Sequence, residues 1–539
     1  MRWPWPDPRL AAPLAAALMA LAPVPPAVAQ TAAVTDAAAR PDPAALYARR
    51  CAGCHGADRL GGQGPALLPE NMGRLRPAQA GAVIARGRAA TQMPGFADAL
   101  SPPEIEALAA WIFRPAPADL RWGAAEIEAT RTVLVPPESL PARPVFDADP
   151  LNLFLVVETG DHHATVLDGD RFAPIHRFPT RPALHGGPKF SPDGRFVFLM
   201  SRDGWVTKYD LYGLRPVAEV RAGVNSRNIA LSGDGRFVAV ANYLPHTLVL
   251  LDAGDLSVKR VIPAVAARGA TSRVGAVYDA RPRRSFIVAL KDIPEVWEVS
   301  YDDDAPPVYT GLVHSHEKGM VEGLAASAGL FALRRIAVDE PLDDFMFDPP
   351  YRNLLGSARE GGKTVVVNLT VGRPVAAVPL EGLPHLGSGI TWMRGDRRLL
   401  ATPHLNTPQV SVIDTTDWSV TARIPTDGPG FFLRSHERTP YAWTDSMMGV
   451  PGARDTIQII DKRSLQVVRR LRPAPGRTAA HVEFTRDGRH ALVSVWEDDG
   501  AVVVYDAESF EEVARLPMRR PSGKYNVFNK ISLSEGTSH

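Results

Sequence analysis

The densest chemistry in the chain is the stretch CAGCH, residues 51–55. Two thiols separated by two residues, with a histidine directly after the second, form the pattern for covalent heme attachment. Cys51 and Cys54 would make the two thioether bonds, and His55 would give an axial nitrogen to the iron. These are the chain's only two cysteines. An exported protein could pair them as a disulfide, and a thioredoxin-like dithiol is a further alternative. The dithiol reading needs no histidine and wants a strand before the motif, whereas the preceding ALYARR reads as helix.

A sixth iron ligand is expected some tens of residues downstream. Residues 91–96 read TQMPGF, followed by ALSPPEIEALAAWIF. The latter has a serine N-cap, acidic residues in its first turn and apolar residues at helical spacing. Met-Pro ahead of such a helix resembles the distal ligand loop of small class I cytochromes c, and that resemblance makes Met93 the ligand. Met72 is the weaker alternative, a residue type more often core or loop. A thioether ligand raises the iron potential, which suits electron transfer. This first, all-α cytochrome c domain is expected over residues 41–118, its last helix ending near Arg114 and the Pro/Ala-rich PAPADLRW closing it.

Further polar residues recur just ahead of short apolar strands. They are His185 (PALHGGPKF), Arg227 (VNSRNIAL), His385 (GLPHLGSGITW), His436 (FLRSHERTPYAW) and His481 (TAAHVEF). Four of the chain's 14 histidines fall in this slot. A single one reads as a loop or packing residue, but several in equivalent positions point to a shared pocket. Glycines around His185 and His385 allow close approach of backbone to a large ligand. Arg202 and Lys189 stand nearby as cationic partners for carboxylates.

The elements that position them form a repeat. FSPDGRFVFLMSRDGWVTKYDLYGLRPVAEV from Phe190 recurs as LSGDGRFVAVANYLPHTLVLLDAGDLSVKRV from Leu231 and as FTRDGRHALVSVWEDDGAVVVYDAESFEEVARL from Phe484. Each copy reads as strand, Asp-Gly turn, strand, variable turn, strand ending in Asp, then a fourth strand. Degenerate copies begin near Phe146, Tyr278, Phe347, Trp392 and Arg438, with an insertion near Leu312–Leu333. A four-stranded unit at this period predicts an all-β eight-bladed β-propeller over residues 140–539. The loop ahead of each inner strand would open near the axis of the disc.

An N-terminal cytochrome c followed by an eight-bladed propeller resembles the cytochrome cd1 family, over nearly the whole mature chain. In that family the propeller holds heme d1, a non-covalent, carboxylate-rich macrocycle. PALHGGPKFSPDGRFVFLMSRDGWVTKYDL resembles its segment for the proximal ligand, which implies His185 as the heme d1 iron ligand and Arg202 and Arg227 as cations facing the carboxylates. The family's nitrite reductases carry two distal histidines that protonate nitrite. Here their counterparts read Ala289-Leu290-Lys291 and RRIAVDEPLDDF, without histidine. General-acid delivery to nitrite would lose its donors.

Other segments, among them ALKDIPEVWEVSYD, DEPLDDFMFDP and KYNVFNKISLSEGTSH, resemble the branch whose members are periplasmic dihydro-heme d1 dehydrogenases. That resemblance implies oxidation of a propionate of dihydro-heme d1 to acrylate in the last step of heme d1 biosynthesis. Electrons would pass to heme c and a soluble electron acceptor. It implies His385, His481 and Tyr525 as the catalytic set, with His385 as the main base. A cytochrome cd1 nitrite reductase, or another heme d1 maturation protein, is the implied partner for the product. A nitrite reductase with unusual distal groups and a non-enzymatic heme d1 carrier are the alternatives.

Composition excludes other classes. A chain of 539 residues is too long for one ordinary domain. Its formal net charge of +1 gives no electrostatic reason to bind nucleic acid or an anionic membrane. Arg2, Arg9, the apolar run Leu10–Leu21 and the small-x-small site Ala27-Val28-Ala29 read as a cleaved export signal over residues 1–29. The run is interrupted by Pro13 and Pro23 and is short for a membrane span. A periplasmic mature protein without a membrane span is therefore expected.

Overall fold

Asp42 opens the first helix of the computed structural model by accepting from the amides of Ala44 (3.0 Å) and Ala45 (3.3 Å). The structure describes residues 41–537, apart from residues 63, 73–74, 76, 88–92, 116–119, 267–268, 310–325, 359–363 and 534. The export segment and most of the insertion lie outside the described residues.

Helices α1 (Pro43–Arg50), α2 (Ala52–His55), α3 (Pro77–Arg86) and α4 (Pro102–Ile112) build the cytochrome domain. At the start of α4 the Glu104 carboxylate accepts from the Ser101 amide and hydroxyl, both at 2.8 Å, a capping arrangement that satisfies an otherwise orphaned donor. Leu46, Tyr47, Met72, Ile84, Leu100 and Leu108 form its core. Arg59, just past the CAGCH motif, donates to the carbonyls of Ile112, Arg114 and Pro115 and lies 5.0 Å from the Trp111 ring centroid. It ties the attachment loop to the end of α4.

Eight four-stranded antiparallel units follow, as the repeat predicts. In blades two, three and eight the turn after the inner strand has the same cause. In blade two the Phe196 amide donates to Ser191 Oγ at 2.8 Å, and Gly194 takes φ +75°. Phe237 N to Ser232 Oγ (2.9 Å) and His490 N to Thr485 Oγ1 (3.1 Å) repeat it, with Gly235 at +76° and Gly488 at +72°. Only glycine enters this left-handed region without strain. In blades one, two, three, six, seven and eight an aspartate ends the third strand and holds the next turn: Asp506 accepts from the amides of Glu508 and Ser509, and Asp168 from those of Asp170 and Arg171.

Blade one is closed from the far end of the chain. Its inner strand is Pro521–Asn526, which pairs with Leu153–Glu158 in the register Leu155 to Tyr525 and Val157 to Gly523. The copy near Phe146 thus supplies three strands and the C-terminus the fourth. Helix α6 (Val527–Ser532) follows, and the chain then reaches blades six and seven, where Glu535 pairs with Arg398 at 3.1 Å and Ser435 N donates to the Gly536 carbonyl.

The segment between the domains is structured. Helix α5 (Ala124–Thr130) packs on blade two, and Thr132–Val133 adds a fifth strand to its outer edge. Leu60 and Asn71 of the cytochrome are hydrogen-bonded to Arg221 and to the Val224 carbonyl, and Asn225 donates to the Glu70 carbonyl. The attachment domain therefore docks beside the strand that carries Arg227. Among the described residues no helix is long and apolar enough to cross a membrane.

Candidate active site

His185 and His385 lie in loops ahead of their inner strands, as read from the sequence, whereas Arg227 and His481 sit at bulges within theirs. Pairing in blade three jumps from Ser226–Asn242 to Asn228–Ala241, leaving Arg227 as the extra residue. In blade eight it jumps from Ala480–Ser494 to Val482–Val493, leaving His481. Longer interruptions lie between the Leu184–Ser201 bridge and Lys189–Phe198, and between the Pro384–His404 bridge and Ile390–Ala401. They hold His185 and His385. A bulge redirects a side chain and ends regular pairing, and the bulges of blades three and eight do this for Arg227 and His481.

His436 is a correction. It follows the inner strand Leu433–Ser435 of blade seven, at the opposite end from the bulges. There it accepts from the Arg438 amide at 3.2 Å, and a Cβ on Gly488 would clash with its ring. The turn glycine explains its place, and it takes no part in the pocket. Phe431 and Phe432 occupy the pocket end of that strand instead, 4.1 Å and 6.5 Å from the His385 ring centroid.

His185 stands on blade two and His385 on blade six, which places them across the axis from each other in an eight-bladed ring. His185 Nδ1 is 2.8 Å from the Arg227 carbonyl, and His385 Nδ1 is 2.7 Å from that of Phe431. A carbonyl only accepts, so each Nδ1 carries the proton and each Nε2 keeps its lone pair. That is the tautomer needed by an iron ligand and by a general base alike. Arg227 Nη1 donates to His185 Nε2 at 2.6 Å. His55 repeats the device, with Nδ1 2.8 Å from the Pro65 carbonyl. The residues present fit both hemes. His55 is buried with its Nε2 free of that bond and Cys51 and Cys54 beside it as free thiols, and His185 offers the same nitrogen to the axis. Met93 is half-buried ahead of α4, while Met72 belongs to the cytochrome core.

The distal residues cluster. His481 and Tyr525 have ring centroids 5.1 Å apart, and His481 lies 4.5 Å from Phe432. His481 is fully buried at φ +48°, and neither ring nitrogen has a partner. A non-glycine residue in this region stores strain, and such strain gathers at functional positions. Burial holds the His481 imidazole well below its usual range, and Lys524, Arg434 and Lys530 add to that. Burial also lowers His385, but the Asp344 carboxylate and the Phe431 carbonyl oppose it. Burial pushes the Tyr525 hydroxyl up to about 12, so it stays protonated.

Several pocket residues were not legible as such. Asp344 accepts from Tyr278 Oη at 2.9 Å and from the Gly387 amide at 2.6 Å, tying the His385 loop to blades four and five. A Cβ on Gly387 would lie within 2.9 Å of both the Tyr278 hydroxyl and the Asp344 carboxylate, so a side chain there would displace the pair. Arg202, Arg273 and Lys291 surround the Tyr243 ring at 5.4–5.7 Å. Lys291 is ion-paired with Asp343. Where nitrite reductases are expected to hold two histidines, this chain has that ion pair and Asp344.

The cytochrome D1 heme domain family matches residues 148–319 and 326–530. The chain belongs to that family. Residues 38–112 match the cbb3-type cytochrome c oxidase subunit III family. The chain is 56% identical over 495 residues to the dihydro-heme d1 dehydrogenase of Pseudomonas aeruginosa, covering 92% of this chain and 95% of that one. It is 30% identical to the protein NirF of the same organism, over 69% of this chain and 90% of the relative. The nitrite reductase of Stutzerimonas stutzeri is 25% identical over 90% of this chain and 92% of its own. A solved structure described as dihydro-heme d1 dehydrogenase NirN in complex with DHE superposes with a TM-score of 0.84. It has 56% identity and covers 91% of this chain and 100% of that one.

Proposed function

We propose that this cytochrome D1 family member is a dihydro-heme d1 dehydrogenase, oxidising a propionate of its tetrapyrrole substrate to acrylate. The observation that carries this reading is the distal set. His385 stands on blade six across the axis from His185, while His481 and Tyr525, from blades eight and one, pack on each other with the Tyr525 ring beside Gly187.

Converting –CH2–CH2– to –CH=CH– releases two protons and two electrons. His385 is the better base of the two distal histidines, because Asp344 offsets its burial while cations surround His481. Its Nε2 takes a proton from the side chain. His481 and the protonated Tyr525 position the carboxylate or relay the second proton. His185 Nε2 ligates the substrate iron once Arg227 withdraws, and Arg202 and Arg227 then face carboxylates. Phe431 and Phe432 keep water from the base. Cys51, Cys54, His55 and Met93 would hold heme c, which would supply one-electron acceptor chemistry, with a soluble acceptor as the destination of both electrons. The export signal supports a periplasmic setting, where the product would go to a nitrite reductase.

The test is anaerobic mixing of oxidised protein with dihydro-heme d1 while the heme c absorbance is followed. Heme c reduction in step with pigment oxidation is the expected result. Tight binding with heme c left oxidised would sink the enzyme in favour of a carrier, and nitric oxide from nitrite at a competent rate would favour a reductase.

A further inference from the structure

Below the distal residues lies a buried group of cations that the mechanism leaves unused. Arg434 sits on the inner strand of blade seven and is 3% exposed. Its Nη1 donates to its own neighbour, the Leu433 carbonyl, at 2.8 Å, and its Nε is buried without a partner. Among the described residues no carboxylate lies within ion-pair distance of it. Its guanidinium is 5.7 Å from the Phe432 ring centroid, and the same ring touches His481. Lys530 of α6 reaches in from the far face, 5.7 Å from the Tyr525 ring centroid and 4.0 Å from Glu483. Lys189 enters from the inner strand of blade two.

A buried charge needs a partner, because its desolvation is otherwise uncompensated. Glu483 is the one carboxylate that bears on both Arg434 and Lys530, and a single negative charge does not balance three cations. One oxygen accepts from Asn529 Nδ2 at 3.1 Å, and Lys530 approaches the other. Burial, with Arg434 adding to it, depresses Lys189 to about 8 and Lys530 to about 7, and Lys189 also bears on Lys530. Mutual repulsion of this kind is what an added anion relieves.

We propose that Arg434, with Lys189 and Lys530, forms a carboxylate-binding subsite at the floor of the axial pocket that takes one carboxylate side chain of the substrate tetrapyrrole. This rests on the dehydrogenase reading of the same pocket. It gives that reading an anchor. A carboxylate held on the Arg434 fork sits under Phe432, beside His481 and Tyr525. Pairing it with a guanidinium withdraws charge from the side chain whose C–H bonds must be broken. Arginine suits the task because its planar fork matches a carboxylate bidentately.

The test uses the full-length holoprotein with Arg434→Gln and, separately, Lys189→Met. The dissociation constant of dihydro-heme d1 and of its carboxyl methyl ester is measured by absorbance titration, with oxidation of dihydro-heme d1 by the parent run in parallel. Arg434→Gln is expected to weaken the free acid by about tenfold or more, as for a lost charge-assisted bond, and to leave the ester unchanged. Lys189→Met should show the same selective loss to a smaller degree, and it stands in if the first variant does not fold. Equal affinity of parent and variants for the free acid overturns the subsite, and continued oxidation by the parent then leaves the dehydrogenase reading standing. A parent that neither binds nor oxidises the pigment brings both down.

Discussion

His185 and His385 hold the same posture four blades apart: each bonds Nδ1 to a main-chain carbonyl of the next blade, Arg227 in one case and Phe431 in the other. One propeller device thus prepares two imidazoles with the same tautomer, facing one axis. They differ in what meets Nε2. Arg227 covers that nitrogen on His185, whereas Asp344 bears on His385.

Removing the base separates binding from chemistry. His385→Ala is expected to bind dihydro-heme d1 with near-parental affinity and to oxidise it about 10²–10⁴-fold more slowly, the usual contribution of a positioned base. Absorbance titration and single-turnover kinetics check this. Full activity would remove His385 from the mechanism.

Removing the proximal ligand does the reverse. His185→Ala should change the pigment's absorption spectrum on binding and weaken its affinity. The heme c spectrum should stay as in the parent, because His55 and its Pro65 contact are in a separate domain.

Asp344→Asn tests the electrostatics of the base. His385 is faced by Asp344, Arg227, Arg434 and the Phe431 carbonyl. The carboxylate raises its proton affinity against burial and the two cations. Losing that charge lowers the affinity further, so the acid limb of the pH–rate profile moves to lower pH and the plateau rate falls. NMR titration of the His385 ring should show the same direction. An unmoved limb would mean that Asp344 only braces the Gly387 loop.

Lys530 gives a stability signature. Burial and Arg434 push its ammonium down to about 7, from 10.5 in the unfolded chain. Between those values the folded chain binds fewer protons than the unfolded one, so stability of the substrate-free protein rises with pH across about 7 to 10. Below pH 7 both states are charged, and the full cost of burial remains. Lys530→Met should therefore raise Tm more at pH 6.5 than at pH 9.5. An equal gain at both would contradict the buried charge.

Much of this was legible in local sequence. CAGCH carries its own chemistry, and the Ser-x-Asp-Gly-Arg turns announce themselves because side chain, amide and glycine φ act within five residues. The pocket end of each strand was harder to read. A bulge is a property of pairing between two strands, so Arg227 and His481 looked like loop residues, and His436 matched their spacing from a glycine-rich turn while pointing to the other face. Asp344 in DEPLDDF and Arg434 in FFLRSH gave no signal, since their meaning comes from blades brought together by closure. Tyr525 was ambiguous for the same reason: only its pairing with Leu155 shows that the C-terminus supplies an inner strand.

The central claim is dehydrogenation, and the mass of the pigment tests it most directly. Dihydro-heme d1 is incubated anaerobically with oxidised protein, extracted and weighed by mass spectrometry. A loss of two hydrogens, absent with His385→Ala, is the predicted result. Pigment recovered at unchanged mass from the parent, with heme c still oxidised, would contradict it.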